Sequence, residues 1–271
     1  MVTILHELKL ICPVCDSESL NLSTISDDIQ CSNCGTIFPV NQGFLDLLPG
    51  NEAPGMIPSS NPMKWGWVVR IYNSRLWRRS RWLGGMFGIS FSDEFNTIAN
   101  AMNLEGNEAV LDLACGPGTY TLPLAEKLHN GFIIGVDLSI PMLRNASKQA
   151  MKESKDNVRF IHANTSNLPF LSGEFDVINC CGALHLFIEF LPSLLCNIHN
   201  MLKTNGRFTV AAALAPTGRI GKKLADRENR RGGLDYFTVE SLTAYLEDSG
   251  FTEIRCLHAK RYWLIMSAMK P

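Results

Sequence analysis

The chain has 271 residues, 46% of them hydrophobic, and a formal net charge of −1. That length accommodates one full α/β domain and a small accessory unit, and the near-neutral balance excludes a global electrostatic pull towards nucleic acid or an anionic membrane. His6, Glu7 and Lys9 interrupt the first residues and no run approaches the roughly 18 apolar residues of a spanning helix, so no membrane span is expected and the cytoplasm is the expected compartment.

Four of the nine cysteines come first, as Cys12-x2-Cys15 and Cys31-x2-Cys34 with fifteen residues between the pairs. This is the spacing of a tetrathiolate zinc site. Each pair ends near a turn, at Cys15–Asp16 and Cys34–Gly35, and a segment of about fifty residues builds too little core to stand without such a staple. With all four ligand positions filled the zinc is expected to be structural; two redox or incidental pairs are the alternative. Residues 1–50 carry Lys9 alone against Glu7, Asp16, Glu18, Asp27, Asp28 and Asp46.

Residues 49–62, rich in Pro, Gly, Ser and Asn, read as a linker. The next stretch, 63–91, is basic and aromatic: Lys64, Trp65, Trp67, Arg70, Tyr72, Arg75, Trp77, Arg78, Arg79, Arg81 and Trp82 occur before any acidic residue. Its spacing predicts one or two helices with an apolar stripe and a cationic face. Such a cap serves as a lid or a docking surface for an anionic partner, or else packs on the core with its charges in solvent.

Phe95, Ile98, Ala99 and Met102 share one helix face, with Ser90 or Ser92 as cap. Strand 110–114, helix 118–128, strand 132–136, helix 140–154, strands 158–162 and 175–181, helix 190–202 and strand 207–213 follow, then helix 238–249 and strands near 252–258 and 261–268. This alternation predicts a doubly wound sheet. The decisive stretch is Val110–Leu111–Asp112–Leu113–Ala114–Cys115–Gly116–Pro117–Gly118–Thr119, where an apolar strand enters a glycine turn and then a helix. Glycine lets backbone pass close to a ligand, and the helix start offers free N–H groups. The second strand ends in Asp137, a carboxylate suited to a ribose diol. The other cysteines, Cys115, Cys180, Cys181, Cys196 and Cys256, are expected to act as small buried apolar residues, with Cys181 the one on a substrate's path.

Residues 92–271 resemble the class I S-adenosylmethionine-dependent methyltransferases of the type 11-like group. The resemblance rests on D-L-A-C-G-x-G at 112–118, Asp137–Leu138–Ser139 with Met142 and Leu143, Ala163–Asn164–Thr165 with Leu168–Pro169–Phe170, Phe175–Asp176–Val177–Ile178, and Met201–Leu202–Lys203–Thr204–Asn205–Gly206–Arg207–Phe208. It implies a Rossmann-like seven-stranded sheet and S-adenosylmethionine as cofactor. The methionine end would lie over Ala114, Gly116 and Gly118 with Asp112 supporting the loop, the ribose at Asp137, and the adenine between Leu138, Met142, Asn164 and Thr165. Asn164 departs from the family's usual Asp, which leaves either an adenine contact through the amide carbonyl or a turn residue. Residues 1–48, through Pro39–Pro49, are similar to the N-terminal zinc ribbon of rRNA guanine-N1 methyltransferases.

Methyl transfer needs alignment and water exclusion, and a base only where the acceptor must lose a proton. His185, beyond the fourth strand, is the catalytic candidate, with a packed turn histidine as the alternative; Glu189 and Tyr236 stand behind it. A small-molecule acceptor is the favoured reading. An rRNA guanine-N1 methyltransferase is the second, kept open by segment 64–82 and by Arg219, Lys222, Lys223, Arg227, Arg230 and Arg231, although the acidic ribbon suits phosphate contacts poorly. A non-catalytic zinc-ribbon binding protein is a third. Oligomeric state is not legible.

Overall fold

The computed structural model describes residues 10–18, 20–22, 28–48, 80–216 and 236–271. The expected linker, the cap up to residue 79 and the basic loop 219–231 lie outside the described residues. Strands β1 (Leu20–Leu22), β2 (Ile29–Cys31) and β3 (Ile37–Phe38) form a small antiparallel sheet. There follow β4 (Val40–Asn41), β5 (Phe44–Asp46), helix α1 (Arg81–Phe87) and helix α2 (Phe91–Met102). The nucleotide-fold alternation begins with β6 (Ala109–Leu113), α3 (Thr121–Ala125), β7 (Phe132–Asp137), α4 (Ile140–Lys152), β8 (Val158–His162) and β9 (Phe175–Cys181). Helix α5 (Leu191–Met201), β10 (Leu202–Ala213), α6 (Val239–Asp248), β11 (Thr252–Lys260) and β12 (Trp263–Met269) complete it.

The main sheet runs β11-β12-β10-β9-β6-β7-β8-β5-β4. Seven of these strands are those expected, with β12 antiparallel to β10 and the reversed β11–β12 hairpin closing one edge. The other edge differs from the sequence expectation. β5 pairs in parallel with β8, and β4 pairs antiparallel with β5, so residues 40–46 extend the sheet to nine strands among the described residues and do not stay with the ribbon that ends at 48 in the sequence reading.

Both faces of the sheet are covered, and strand periodicity sorts the side chains between them. Leu111, Ile134, Ile161 and Ile178 face α5 and α6, whereas Val110, Ile133, Phe160 and Val177 face α2, α3 and α4. Leu10, Cys12, Ile29, Cys31 and Phe38 belong to the first of these cores. Leu10 forms a bridge with Phe170, and the Ile11 N–H donates to the Pro169 carbonyl at 2.9 Å. The ribbon is therefore packed onto the main domain, and each fully buried Leu or Ile in this seam contributes about 2 kcal/mol of transfer free energy.

Two elements depart from their expected bounds for local reasons. Helix α3 spans five residues and not 118–128, because the turn before it holds left-handed torsions to Gly118 and the chain after Ala125 makes tighter three-residue bonds, Lys127 N–H to Leu124 O at 2.9 Å and Leu128 N–H to Ala125 O at 3.2 Å. Strand β10 starts at Leu202 with a register shift before Arg207, where Asn205 (φ 63°) makes the turn. Cys196 and Cys256 are exposed, contrary to their expected burial, while Cys115 and Cys180 are buried. Ser90 caps α2, its hydroxyl oxygen accepting the Asp93 N–H at 3.2 Å.

Candidate functional site

The parallel strands deliver Leu113, Asp137, His162, Cys181 and Ala213 to one edge of the sheet, the edge where open α/β sheets bind ligands. The glycine turn lies there. Ala114 (φ 52°), Gly116 (φ 55°) and Gly118 (φ 78°) alternate in the left-handed region. A Cβ on Gly116 would meet only the Met142 Sδ at 3.4 Å, so the space above the turn is open, whereas one on Gly118 would press Leu122 at 3.1 Å. The turn is held from below, with the Cys115 N–H donating to Val136 O at 3.0 Å and the Leu122 N–H to Gly118 O at 3.0 Å. Gly135 on β7 leaves room for this, since a Cβ there would lie 2.8 Å from the Cys115 Sγ.

Asp137 closes the rim. Its Oδ2 accepts the Gly116 N–H at 2.7 Å and its Oδ1 the Ser139 N–H at 2.7 Å. Burial raises its pKa, and the bonds from Ser139 and Gly116 oppose that. Each carboxylate oxygen keeps acceptor capacity for a further donor. Asp112 is buried beneath the turn; its Oδ2 accepts from the Thr121 hydroxyl at 2.5 Å and its Oδ1 from the Asn179 amide at 2.7 Å. The Thr209 hydroxyl donates to the Asn179 carbonyl at 2.8 Å. Burial pushes the Asp112 carboxyl up to about 6 despite these bonds.

Leu138 is half-buried, and Met142 and Thr165 are buried near the same edge. Asn164 Oδ1 accepts the Ser166 N–H at 3.0 Å and its backbone carbonyl the Asn167 N–H at 3.0 Å. Asn164 is thus a turn residue whose amide oxygen retains one lone pair. His185 lies in a short 3-10 turn, Leu184–Leu186. Its Nδ1 accepts the Ala213 N–H at 3.4 Å, and burial lowers its pKa to about 4. The expected general base is therefore a buried, neutral imidazole whose acceptor nitrogen is turned to the backbone. Glu189 is exposed.

One cluster at this edge escaped the sequence reading. Glu94, fully buried on α2, accepts at Oε1 from the Tyr120 hydroxyl and from the Trp263 indole N–H at 2.9 Å. Trp263 stacks on Phe87 with centroids 4.3 Å apart and rings 11° from parallel. The signal was available, since Glu94 sits four and eight residues before Ile98 and Met102 and so falls in their buried stripe.

The four N-terminal cysteines converge, with their Sγ atoms all within 4.8 Å of one another. Cys12 and Cys34 are 3.8 Å apart at sulfur and Cys15 and Cys31 3.7 Å. A tetrahedral zinc with bonds of about 2.3 Å requires sulfurs about 3.8 Å apart. The two knuckles repeat one backbone pattern: Asp16 N–H to Cys12 O and Gly35 N–H to Cys31 O, both 2.9 Å, with left-handed Asp16 (φ 55°) and Gly35 (φ 75°). Hydrogen bonds from the Asn33 amide and Ser17 lower the Cys15 thiol to about 6, and Ser17 also lowers Cys31, whereas burial raises Cys12.

Residues 110–206 match the family described as "Methyltransferase domain". Among curated proteins the chain is similar to the demethylmenaquinone methyltransferase of Lactococcus lactis subsp. lactis, 35% identical over 116 residues that cover 42% of this chain and 46% of that protein. It is also similar to the uncharacterized methyltransferase YcgJ of Bacillus subtilis, 31% identical over 153 residues, 56% of this chain and 59% of that protein. The crystal structure of YcgJ superposes with a TM-score of 0.56 at 18% identity, covering 65% of this chain and 97% of that one. The chain spans about half the length of the first curated relatives it matches. No helix among the described residues is long and apolar enough to cross a membrane. Residues 110–206 thus match a methyltransferase-domain family, and they lie within a mixed α/β, Rossmann-like fold shared with the solved structure of YcgJ.

Proposed function

We propose that the protein transfers a methyl group from S-adenosylmethionine to a small-molecule acceptor. The observation that carries the cofactor reading is the open left-handed turn Ala114–Gly118 with the Asp137 carboxylate bonded to Gly116 at its rim. Gly116 leaves backbone-close space for the methionine end, Gly118 lets the turn pack against Leu122 beneath it, and Asp137 has acceptor capacity for ribose hydroxyls. Leu138 and Met142 offer apolar surface to the adenine, and Asn164 and Thr165 its polar edge. Asp112 acts from below through Thr121. The bound cofactor supplies a sulfonium methyl with a good leaving group, so the protein's own residues need only align and exclude water. His185 is read as part of the wall, holding the Ala213 backbone.

Two observations favour a small acceptor. The matched relatives include enzymes named for demethylmenaquinone, a quinone and not a nucleic acid. The ribbon, the element that suggested RNA, carries one lysine against six acidic residues over positions 1–50, and four thiolates around zinc add negative charge where phosphate contacts need cations. A structural zinc on Cys12, Cys15, Cys31 and Cys34 completes the reading. Labelled S-adenosylmethionine incubated with the protein and either a metabolite extract or total RNA tests it. Label is expected in the small-molecule fraction; label confined to RNA overturns the acceptor class, and absence of S-adenosylhomocysteine binding by calorimetry overturns the cofactor site.

A further inference from the structure

Three acidic and basic side chains stand in one row across the sheet edge. Strands β5, β8 and β7 are neighbours, and their registers align Asp46 with His162 and His162 with Asp137. Asp46 comes from the N-terminal hairpin, and the other two from the nucleotide fold. We propose that Asp46 is a positioning residue of the cofactor site, holding His162 beside Asp137 and so keeping that carboxylate set for the ribose. This rests on the reading of the Ala114–Asp137 rim as the S-adenosylmethionine site.

The contacts are specific. Asp46 Oδ1 lies 2.7 Å from His162 Nδ1 and also accepts the Leu48 N–H at 3.0 Å. A carboxylate only accepts, so Nδ1 carries the proton and the ring's tautomer and orientation are fixed. The side chains are 5% and 14% exposed for His162 and Asp46. The Leu47 N–H to His162 O bond at 3.0 Å and the Phe44 ring, edge-on to the imidazole at 6.5 Å, lock the same residue. Burial raises the Asp137 carboxyl; the bonds from Ser139 and Gly116 are the main opposition to that, with His162 acting in the same direction as those bonds.

β5 would dock equally with an apolar pair at these positions, since desolvating a carboxylate–imidazole pair offsets much of its attraction. The pair is found at the register position next to Asp137. Asp137 in turn accepts the Gly116 N–H, so the register places the accessory segment's Asp46 two strands from the residue that holds the glycine turn.

A double-mutant cycle with calorimetric titration of S-adenosylhomocysteine into the full chain tests the proposal. The proteins are native, Asp46→Asn, Asp137→Ala and the double variant. Asp46→Asn keeps an acceptor and removes the charge, and is expected to weaken binding about threefold or more, while Asp46→Glu recovers part of the loss. In the Asp137→Ala background Asp46→Asn is expected to change affinity less than about twofold. His162→Gln repeats the pattern. Native affinity in a folded Asp46→Asn, or an equal loss in both backgrounds, overturns the proposal. Outright unfolding of both Asp46→Asn and His162→Gln by circular dichroism overturns it too, because the pair then serves the fold alone. Native protein that fails to bind S-adenosylhomocysteine sinks the underlying cofactor reading, and native affinity in Asp137→Ala sinks the ribose assignment; both differ from a failure at Asp46.

Discussion

The Thr121 hydroxyl donates to the Asp112 carboxylate across 2.5 Å, joining the first residue of α3 to the strand before the glycine turn. That carboxyl is buried, with its pKa raised from the usual 3.8 to about 6. Between these values the folded chain binds a proton that the unfolded chain has lost, so this group's contribution to stability falls as pH rises from about 4 to about 6. Asp112→Asn keeps the shape, with Oδ1 still accepting from Asn179, and removes the ionisation. Its stability relative to native is expected to grow over that window by on the order of 3 kcal/mol and then level off, as read by urea unfolding at each pH.

His185 works in the opposite sense over nearly the same window. Its pKa falls from the usual 6.5 to about 4 on burial, so below about pH 6.5 the unfolded chain takes up a proton that the folded one refuses, and stability drops as pH falls towards 4. With Asp112 the two slopes cancel. The native unfolding profile is expected to be nearly flat from pH 4 to 6 with respect to this pair, Asp112→Asn to slope upward with pH, and His185→Asn downward. Parallel profiles for all three proteins would refute the assignment. The same lowered pKa predicts no step near pH 6.5 in the methyl-transfer rate from His185.

Ala114 holds a left-handed φ of 52° without being glycine, a conformation that costs an L-residue on the order of 1 kcal/mol. Ala114→Gly relieves that cost but adds unfolded-state entropy, and is expected to change the urea midpoint little or raise it slightly. Gly116→Val tests the neighbouring position. A branched residue at φ 55° is strained and its methyl groups enter the space over the turn, so binding of S-adenosylhomocysteine should be lost while the fold survives at reduced stability. Retained binding would move the cradle elsewhere.

Metal analysis should find one zinc per chain. Because Cys12, Cys31 and Phe38 share a core with Ile161 and Phe170, chelation is expected to lower the melting temperature of the whole domain by about 5 °C or more and to speed hydrogen exchange across residues 163–170. A separate low-temperature transition that leaves that segment protected would show the ribbon to be energetically independent.

The doubly wound order was legible because strands buried on both faces read as apolar runs such as Phe132–Val136, and the glycine pair and cysteine spacing marked their sites chemically. Other features leave no local trace. Strands β4 and β5 are two and three residues long, too short for any period, and Asp46 meets a histidine 116 residues away. Nothing in the letters marks Ala114 as left-handed. Glu94 falls in the buried stripe by helical spacing, but its donors Tyr120 and Trp263 arrive from distant segments and leave no local mark beside it. Cys196 and Cys256 were misjudged because composition says nothing of which face an isolated cysteine takes.

The added hairpin also decides what the sheet shows to other molecules. Without residues 40–46, β8 would end the parallel array with its outward-facing backbone donors and acceptors unpaired, a template for another chain. With them the outermost strand among the described residues is two residues long and follows Pro39, which has no N–H to offer. The opposite rim, nine-residue β11, is blunted by Glu253, Arg255 and Lys260. A chain trimmed to begin at residue 92 would keep every candidate cofactor residue yet open that edge, so its first defect would be self-association.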